Sequence, residues 1–403
     1  MARMADSRPT AYDVVLFGAT GFTGGLTAER LAADAPEGLR WAIAGRDPRK
    51  LEAVRSRLTS VGPAGEHVGL VTADVTDAAT LRSLAEQTSV VATTVGPFME
   101  YGEPLVAACA DTGTDYADIT GEAEFVDRMW LAHHKRAVRT GARLVHSCGF
   151  DSIPHDVGTW YTVKQLPEGV PITVSGYVRG RGTASGGTYH TVVRGLSRAR
   201  QSSSAAAERR QVEGRGGGGG GGGARRVRAL PRRPTKAPDS RGWALPLPSI
   251  DPVVVRRSAR AMDRYGPDFS YGHYALVRRL SMAVGAPLAL GGILAAVQAP
   301  LGRDLLLKLR KQGDGPSPQQ RAKSWFEVRF VGAGGGRRVV TEVSGGDPGY
   351  DETAMMLSQS ALCLALDELP PTAGQVTTVQ AMGDALLSRL QAAGMSFRVV
   401  ESA

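Results

Sequence analysis

Three glycines spaced three residues apart, Gly18, Gly21 and Gly24, stand out as residues with an evident chemical use. They lie in the run Gly-Ala-Thr-Gly-Phe-Thr-Gly. An apolar stretch, Asp13 to Phe17, precedes the run and reads as a short buried strand. Leu26 to Ala33 follows with helical character. A glycine turn between a strand and a helix is suited to holding phosphate, because the helix N-terminus offers free N–H groups and the positive end of its dipole. Gly18 permits the tight turn, Gly21 lets backbone approach a pyrophosphate, and Gly24 lets the helix close on the strand. Thr20, Phe22 and Thr23 lie between them and complete the predicted contact set. The spacing is G-x-x-G-x-x-G rather than the commoner G-x-G-x-x-G.

The end of the next strand selects the dinucleotide. Binders of NAD usually carry a carboxylate there for the ribose hydroxyls. This chain has Ala44-Gly45-Arg46. A guanidinium is always charged and offers a fork of donors, which suits a 2′-phosphate. Lys50 follows one helical turn later, and the neighbouring Asp47 is placed for a ribose hydroxyl. These residues predict NADP(H). Asp74 and Val75, after a third strand, are placed to frame the adenine, with a turn cap for Thr76 and Asp77 as the other reading of Asp74. Gly96, Pro97 and Phe98 follow a fourth strand and are expected along the cofactor. Tyr101 just beyond them is the candidate proton donor.

Two further stretches gather titratable groups at strand ends, Asp118 to Glu122 and His146 to Asp156. For Glu122 and Asp151, helix capping and hydrogen bonding at a domain junction compete with a role in chemistry. Cys148 reads as a small buried residue, and His133 and His134 as surface positions on a helix. The three cysteines have no metal-type spacing, so neither a disulfide framework nor a metal site is expected.

Elements at regular spacing must position these residues. Strands are expected at 13–17, 40–44, 68–72, 89–95, 114–118 and 143–147, and helices at 26–33, 48–58, 77–87, 104–112 and 124–140. This alternation predicts an α/β fold: a Rossmann-type, doubly wound parallel sheet over residues 1–150. The pattern then changes. Val170 to Val178 alternates like a half-exposed strand, and 325–331 and 338–343 flank a glycine turn as a hairpin. An α+β second domain with an antiparallel sheet is expected over 151–200 and 240–403. Helices at 357–366 and 381–393 are placed to return over the sheets.

The chain has 403 residues, 42% of them hydrophobic, and a net charge of +9. The charge is local. Between Arg194 and Arg241, 13 Arg or Lys face 3 acidic residues, and the remainder is near neutral. That segment holds eight consecutive glycines, Gly216 to Gly223, and has no hydrophobic periodicity. Residues 201–239 are therefore expected to be a disordered insert rather than a nucleic-acid-binding face. Met1 to Tyr12 has no apolar core of the signal-peptide kind, which predicts a cytoplasmic protein. Met282 to Leu301 is uncharged and reads as a buried helix or a lipid-facing lip. Lys308, Arg310 and Lys311 beyond it could meet anionic headgroups, so peripheral contact with the inner face of the plasma membrane enters the reading.

Taken together, these stretches resemble the saccharopine dehydrogenase-like oxidoreductases, and among them the bacterial trans-acting enoyl reductases. The resemblance rests on GATGFTG, AGRDPRKLE, TVGPFMEYGEPLVAACADTGTDYADITGE and HSCGFDSIPHDVG. It continues through SGGT (185–188), YGPDF (265–269), GGDPGYDETAMML (345–357) and AMGDALLSRLQAAGMSF (381–397). It implies reduction of a lipid-like acyl or polyketide thioester with NADPH, for a synthase lacking that activity. Residues 201–238 depart from the family, as a natural insertion or a frame disturbance, and Asp351 stands where a glycine is usual. The lysine and glutamate pair that would imply saccharopine is missing. An amino-acid or imine reductase and a non-catalytic lipid-surface protein are the alternative readings.

Overall fold

The structure is a computed structural model that describes residues 10–182, 197–216, 225–237, 242–277, 292 and 315–402. The stretch at 282–301, the cations at 308–311, the SGGT run and the glycine run beyond Gly216 lie outside the described residues. Among the described residues no helix is long and apolar enough to cross a membrane.

Two sheets organise the chain. The first is built from β1 (Tyr12–Phe17), β2 (Trp41–Gly45), β3 (Gly69–Thr72), β4 (Thr88–Thr93), β5 (Asp115–Asp118) and β6 (Arg143–Val145). These strands alternate with α1 (Phe22–Asp34), α2 (Pro48–Leu58), α3 (Ala78–Glu86), α4 (Phe98–Tyr101), α5 (Glu103–Thr112) and α6 (Ala123–Thr140). Every expected strand and helix of this half is present, with bounds shifted by a few residues. The apolar face of α2 is Leu51, Val54 and Leu58, all buried. The sheet is parallel, in the order β14-β6-β5-β4-β1-β2-β3. Strands β1 and β4 are adjacent, so the order reverses between them, and ligand crevices of open α/β sheets form at such points.

The seventh strand, β14, comes from the far end of the chain. Gly374–Val376 pairs in parallel with Arg143–Val145. The first unit is therefore not confined to residues 1–150. His134 makes the join: its Nδ1 accepts the Gln375 N–H at 3.0 Å, and its ring stacks on Trp130. Neither His133 nor His134 is fully exposed, contrary to the surface positions expected.

After β6 the chain forms α7 (Ile153–Val163) and then a mixed, mostly antiparallel sheet. Its strands are β7 (Ile172–Arg181), β8 (Arg226–Ala229), β9 (Thr235–Lys236), β10 (Trp243–Pro246), β11 (Asp268–Val277), β12 (Trp325–Gly334), β13 (Arg337–Gly345) and β15 (Ser396–Ser402). Strands β12 and β13 form the expected hairpin, turning at Gly335 and Gly336, both at positive φ. Strand β11 pairs in parallel with both β7 and β8.

Within 201–239, the described residues depart from the disorder expected. Ala199–Gly216 is a helix, α8, and β8 and β9 also fall in the segment. Charge pairing supplies what an apolar periodicity does not. Arg198 makes paired hydrogen bonds to Glu124 on α6, at 2.8 and 2.7 Å. Arg209, 6% exposed, reaches Asp127 and Glu213 and sits 4.7 Å over the Trp130 ring. Three later helices close the molecule: α9 (Asp251–Ala261), α10 (Asp351–Leu366) and α11 (Thr378–Ala392). Helix α10 is buried continuously from Thr353 to Leu364 because it lies between α1 and α11.

Candidate cofactor and active site

The glycine turn is built on backbone contacts. Gly18 has φ +97°, a conformation other residues rarely adopt, and its N–H donates to the Ala44 carbonyl at 2.9 Å. A Cβ on Gly24 would lie 2.1 Å from the Gly18 carbonyl oxygen, so only glycine lets α1 begin this close to β1. At Gly21 an added Cβ would meet only that same oxygen, at 3.4 Å, and the residue is exposed. Gly21 is the N-cap of α1 and supplies no side-chain cap, and the first turn contains no acidic residue. The helix therefore presents uncapped N–H groups and an uncompensated dipole, which fits a pyrophosphate. Phe22 points its ring at Tyr350, 4.8 Å between centroids, and Arg321, so its own offering to an anion is its backbone N–H. Thr20 is exposed and Thr23 half-buried beside it.

The loop after β4 meets this turn at the reversal point. Thr94 Oγ1 donates to the Gly18 carbonyl at 3.3 Å, and Thr94 N–H to Phe17 O at 3.1 Å. Gly96 is exposed and Pro97 half-buried, while Phe98 is buried. Glu122 fixes the loop from the next strand: its carboxylate accepts the N–H groups of Phe98 at 3.0 Å and Met99 at 3.2 Å. It thus caps α4, at whose last residue Tyr101 stands 41% exposed.

Across the ends of β2 and β3, Arg46 and Asp74 are brought together. Both side chains reach solvent, and Arg46's charge helps hold the Asp74 carboxyl below its usual range; hydrogen bonds from Thr76 N–H and Oγ1 do most of this. Asp74 is thus a turn cap within reach of the Arg46 field. Asp47 caps α2 by accepting from Arg49 and Lys50 N–H. Lys50 and Arg46 are exposed, and Val75 packs partly against the core.

The titratable groups beyond β5 and β6 divide into two kinds. Some are occupied by structure. Asp118 is fully buried and accepts from Tyr116 Oη, Thr120 N–H and Ser147 N–H, with His146 Nδ1 at 2.7 Å. Asp156 accepts from Ser258 and Thr378 hydroxyls and Val379 N–H, tying α7 to α9 and α11. Cys148 is fully buried, and burial pushes its thiol far above the usual range. Others cluster around the start of α7. Burial, with Asp251's charge adding, raises the Asp151 carboxyl to about 7. His155 lies beside Asp251 and His273, all three buried. Asp251 and His273 were not legible as site residues in the sequence. They sit on α9 and β11, far apart in the chain from each other and from His155, in no recurring spacing. The packing of α9 on α7 brings Asp251 there, and the pairing of β11 with β7 brings His273.

Four similarities bear on this arrangement. A profile of the saccharopine dehydrogenase NADP binding domain matches residues 14–145, which hold the glycine turn and Arg46. A trans-acting enoyl reductase of Mycobacterium ulcerans is 35% identical over 410 residues, covering 95% of this chain and 96% of that protein. One of Mycobacterium tuberculosis is 36% identical over 413 residues, with the same coverage. Among solved structures, apo saccharopine dehydrogenase (L-Glu forming) of Saccharomyces cerevisiae superposes with a TM-score of 0.55 at 12% identity, over 96% of this chain and 99% of that one. That likeness is one of fold.

Proposed function

The chain belongs to the saccharopine dehydrogenase-like oxidoreductases and binds NADP(H), and from that premise we propose that it is a trans-acting enoyl reductase. In this reading it reduces the α,β double bond of an acyl or polyketide thioester in lipid biosynthesis, on substrate carried by a partner synthase. The observation that supports it best is the extent of the match. Identity of 35% and 36% to trans-acting enoyl reductases runs through both sheets, not through the cofactor half alone.

Bound NADPH supplies the hydride for the carbon β to the thioester carbonyl. The uncapped start of α1, with Gly18, Thr20, Gly21, Phe22, Thr23 and Gly24, holds the pyrophosphate. Arg46 and Lys50 take the 2′-phosphate, and Asp74 and Val75 frame the adenine. The Gly96-Pro97-Phe98 loop, pinned by Glu122, lies along the nicotinamide side of the crevice. Tyr101, exposed beside that loop, gives the α carbon its proton. On sequence alone, the uncharged stretch 282–301 suits an acyl chain, and Lys308, Arg310 and Lys311 suit peripheral contact with the inner face of the plasma membrane from the cytoplasm.

Replacing Tyr101 by Phe tests the assignment of the donor. Turnover of an enoyl thioester is expected to fall about 100-fold, in line with the loss of a general acid, while the NADPH dissociation constant stays unchanged. Unchanged turnover would remove Tyr101 from the mechanism.

A further inference from the structure

The cluster His155, Asp251 and His273 has no part in the reduction described above, and its geometry calls for an explanation. The three residues come from the first turn of α7, the first turn of α9 and the middle of β11. They are 2%, 4% and 4% exposed. Both imidazoles turn Nε2 toward one carboxylate oxygen, Asp251 Oδ2, at 3.8 Å from His155 and 3.4 Å from His273. Their rings meet edge to face with centroids 4.4 Å apart.

These separations are too long for direct hydrogen bonds, which close to about 3.2 Å or less. They are close to what a shared cation demands. A tetrahedral ion with ligands at about 2.0–2.1 Å spaces its ligand atoms about 3.3 Å apart. One atom from each residue lies within 4.8 Å of the others, so a modest contraction closes the set.

Charge points the same way. Asp251 is a buried carboxylate whose ion-pair partners among the described residues are these two imidazoles. A buried charge without a cation is costly. Ser249 Oγ bridges two of the three, donating to Asp251 Oδ2 at 2.6 Å and lying 3.3 Å from His273 Nε2. His273 also stands in the wall of a small pocket lined by Leu230, Pro246, Leu247, Arg256, Tyr271 and Tyr274.

We propose that His155, Asp251 and His273 bind a divalent transition ion of the zinc class, joining α7, α9 and β11 through two imidazole Nε2 atoms and a carboxylate. Two nitrogens and one oxygen suit zinc, iron(II) or manganese and disfavour calcium and magnesium, which prefer all-oxygen shells. The existence of the site does not depend on which substrate is reduced.

The test is metal analysis of the full-length, tag-free protein, followed by titration of chelator-treated protein with zinc, cobalt(II) and magnesium. The expected result is about one transition ion per chain. Cobalt should give the visible absorption of a four- or five-coordinate site, zinc should raise the unfolding temperature, and magnesium should do neither. Asp251→Asn and His155→Gln should lose the ion, while His67→Gln, at an exposed histidine, should keep it. If a variant fails to fold, the cobalt spectrum of the wild-type chain decides alone. Protein that neither contains a transition ion nor responds to zinc and cobalt overturns the proposal. So does retention of the ion by folded Asp251→Asn and His155→Gln variants.

Discussion

At the scale of single residues, Gly24 shows how one missing methyl group determines the site. An added Cβ would lie 2.1 Å from the Gly18 carbonyl oxygen, a backbone atom that cannot swing aside. Alanine would improve helix propensity by about 1 kcal/mol. Overpacking against fixed backbone costs about 1–3 kcal/mol and displaces the start of α1 from the phosphate position. The clash should win: Gly24→Ala is expected to lower stability in urea unfolding and to weaken NADPH binding at least tenfold by fluorescence titration. An undisturbed affinity would show that the start of α1 does not hold the cofactor. This part of the site was legible because a strand, a glycine turn and a helix are contiguous, so spacing alone carries the geometry. Asp251 and His273 were not, because their proximity to His155 arises only from packing of α9 on α7 and strand pairing of β11 with β7, between distant segments. Glu122 was half legible: its capping role was foreseen, but the helix it caps is α4, and no local pattern shows that its carboxylate crosses from the end of β5 to another loop.

At the scale of elements, charge pairing does work that apolar patterning did not reveal. Helix α8 has a weak apolar face, and its composition reads as disorder. Its attachment comes from Arg198 to Glu124 and from Arg209 to Asp127 and Glu213. Because Asp127 also holds Arg257, removing Arg209 leaves the acid with a partner. Arg209→Ala is therefore expected to cost about 2 kcal/mol of docking rather than to unfold the protein. Hydrogen exchange should show faster exchange confined to 199–214; unchanged protection would contradict the account of α8. Sheet edges are tied in the same way. Glu342 on β13, 2% exposed, accepts from Arg398 on β15 and Arg329 on β12. Burial pushes its carboxyl up, but the two arginines outweigh this and hold it below its ordinary 4.5. A carboxyl lowered on folding contributes stability that is complete above its unfolded value and is lost as pH falls through the folded one. Glu342→Gln should thus be less stable than the parent at pH 7, with the gap narrowing below about 4.5 as the parent takes up its proton. A gap independent of pH would mean that packing, not charge, makes Glu342 matter.

At the scale of the whole molecule, the chain returns on itself. The alternation of strands and helices identified six strands of the parallel sheet. The seventh, Gly374–Val376, was missed because three residues carry no period of their own and borrow their order from β6 and His134. Helix α10 was legible as apolar, and its burial on all sides follows from lying between α1 and α11. The last fifty or so residues thus complete the cofactor unit and hold it against the mixed sheet. Single-turnover mixing of the NADPH-loaded full-length protein with an α,β-unsaturated acyl thioester probes the proposed reduction itself. Nicotinamide absorbance and product mass are followed together. Loss of the reduced nicotinamide signal is expected in step with a thioester heavier by two hydrogens, one of them from the cofactor when deuterated NADPH is used. Tight NADPH binding with no reduction of enoyl thioesters, but turnover of an imine, would contradict the proposal.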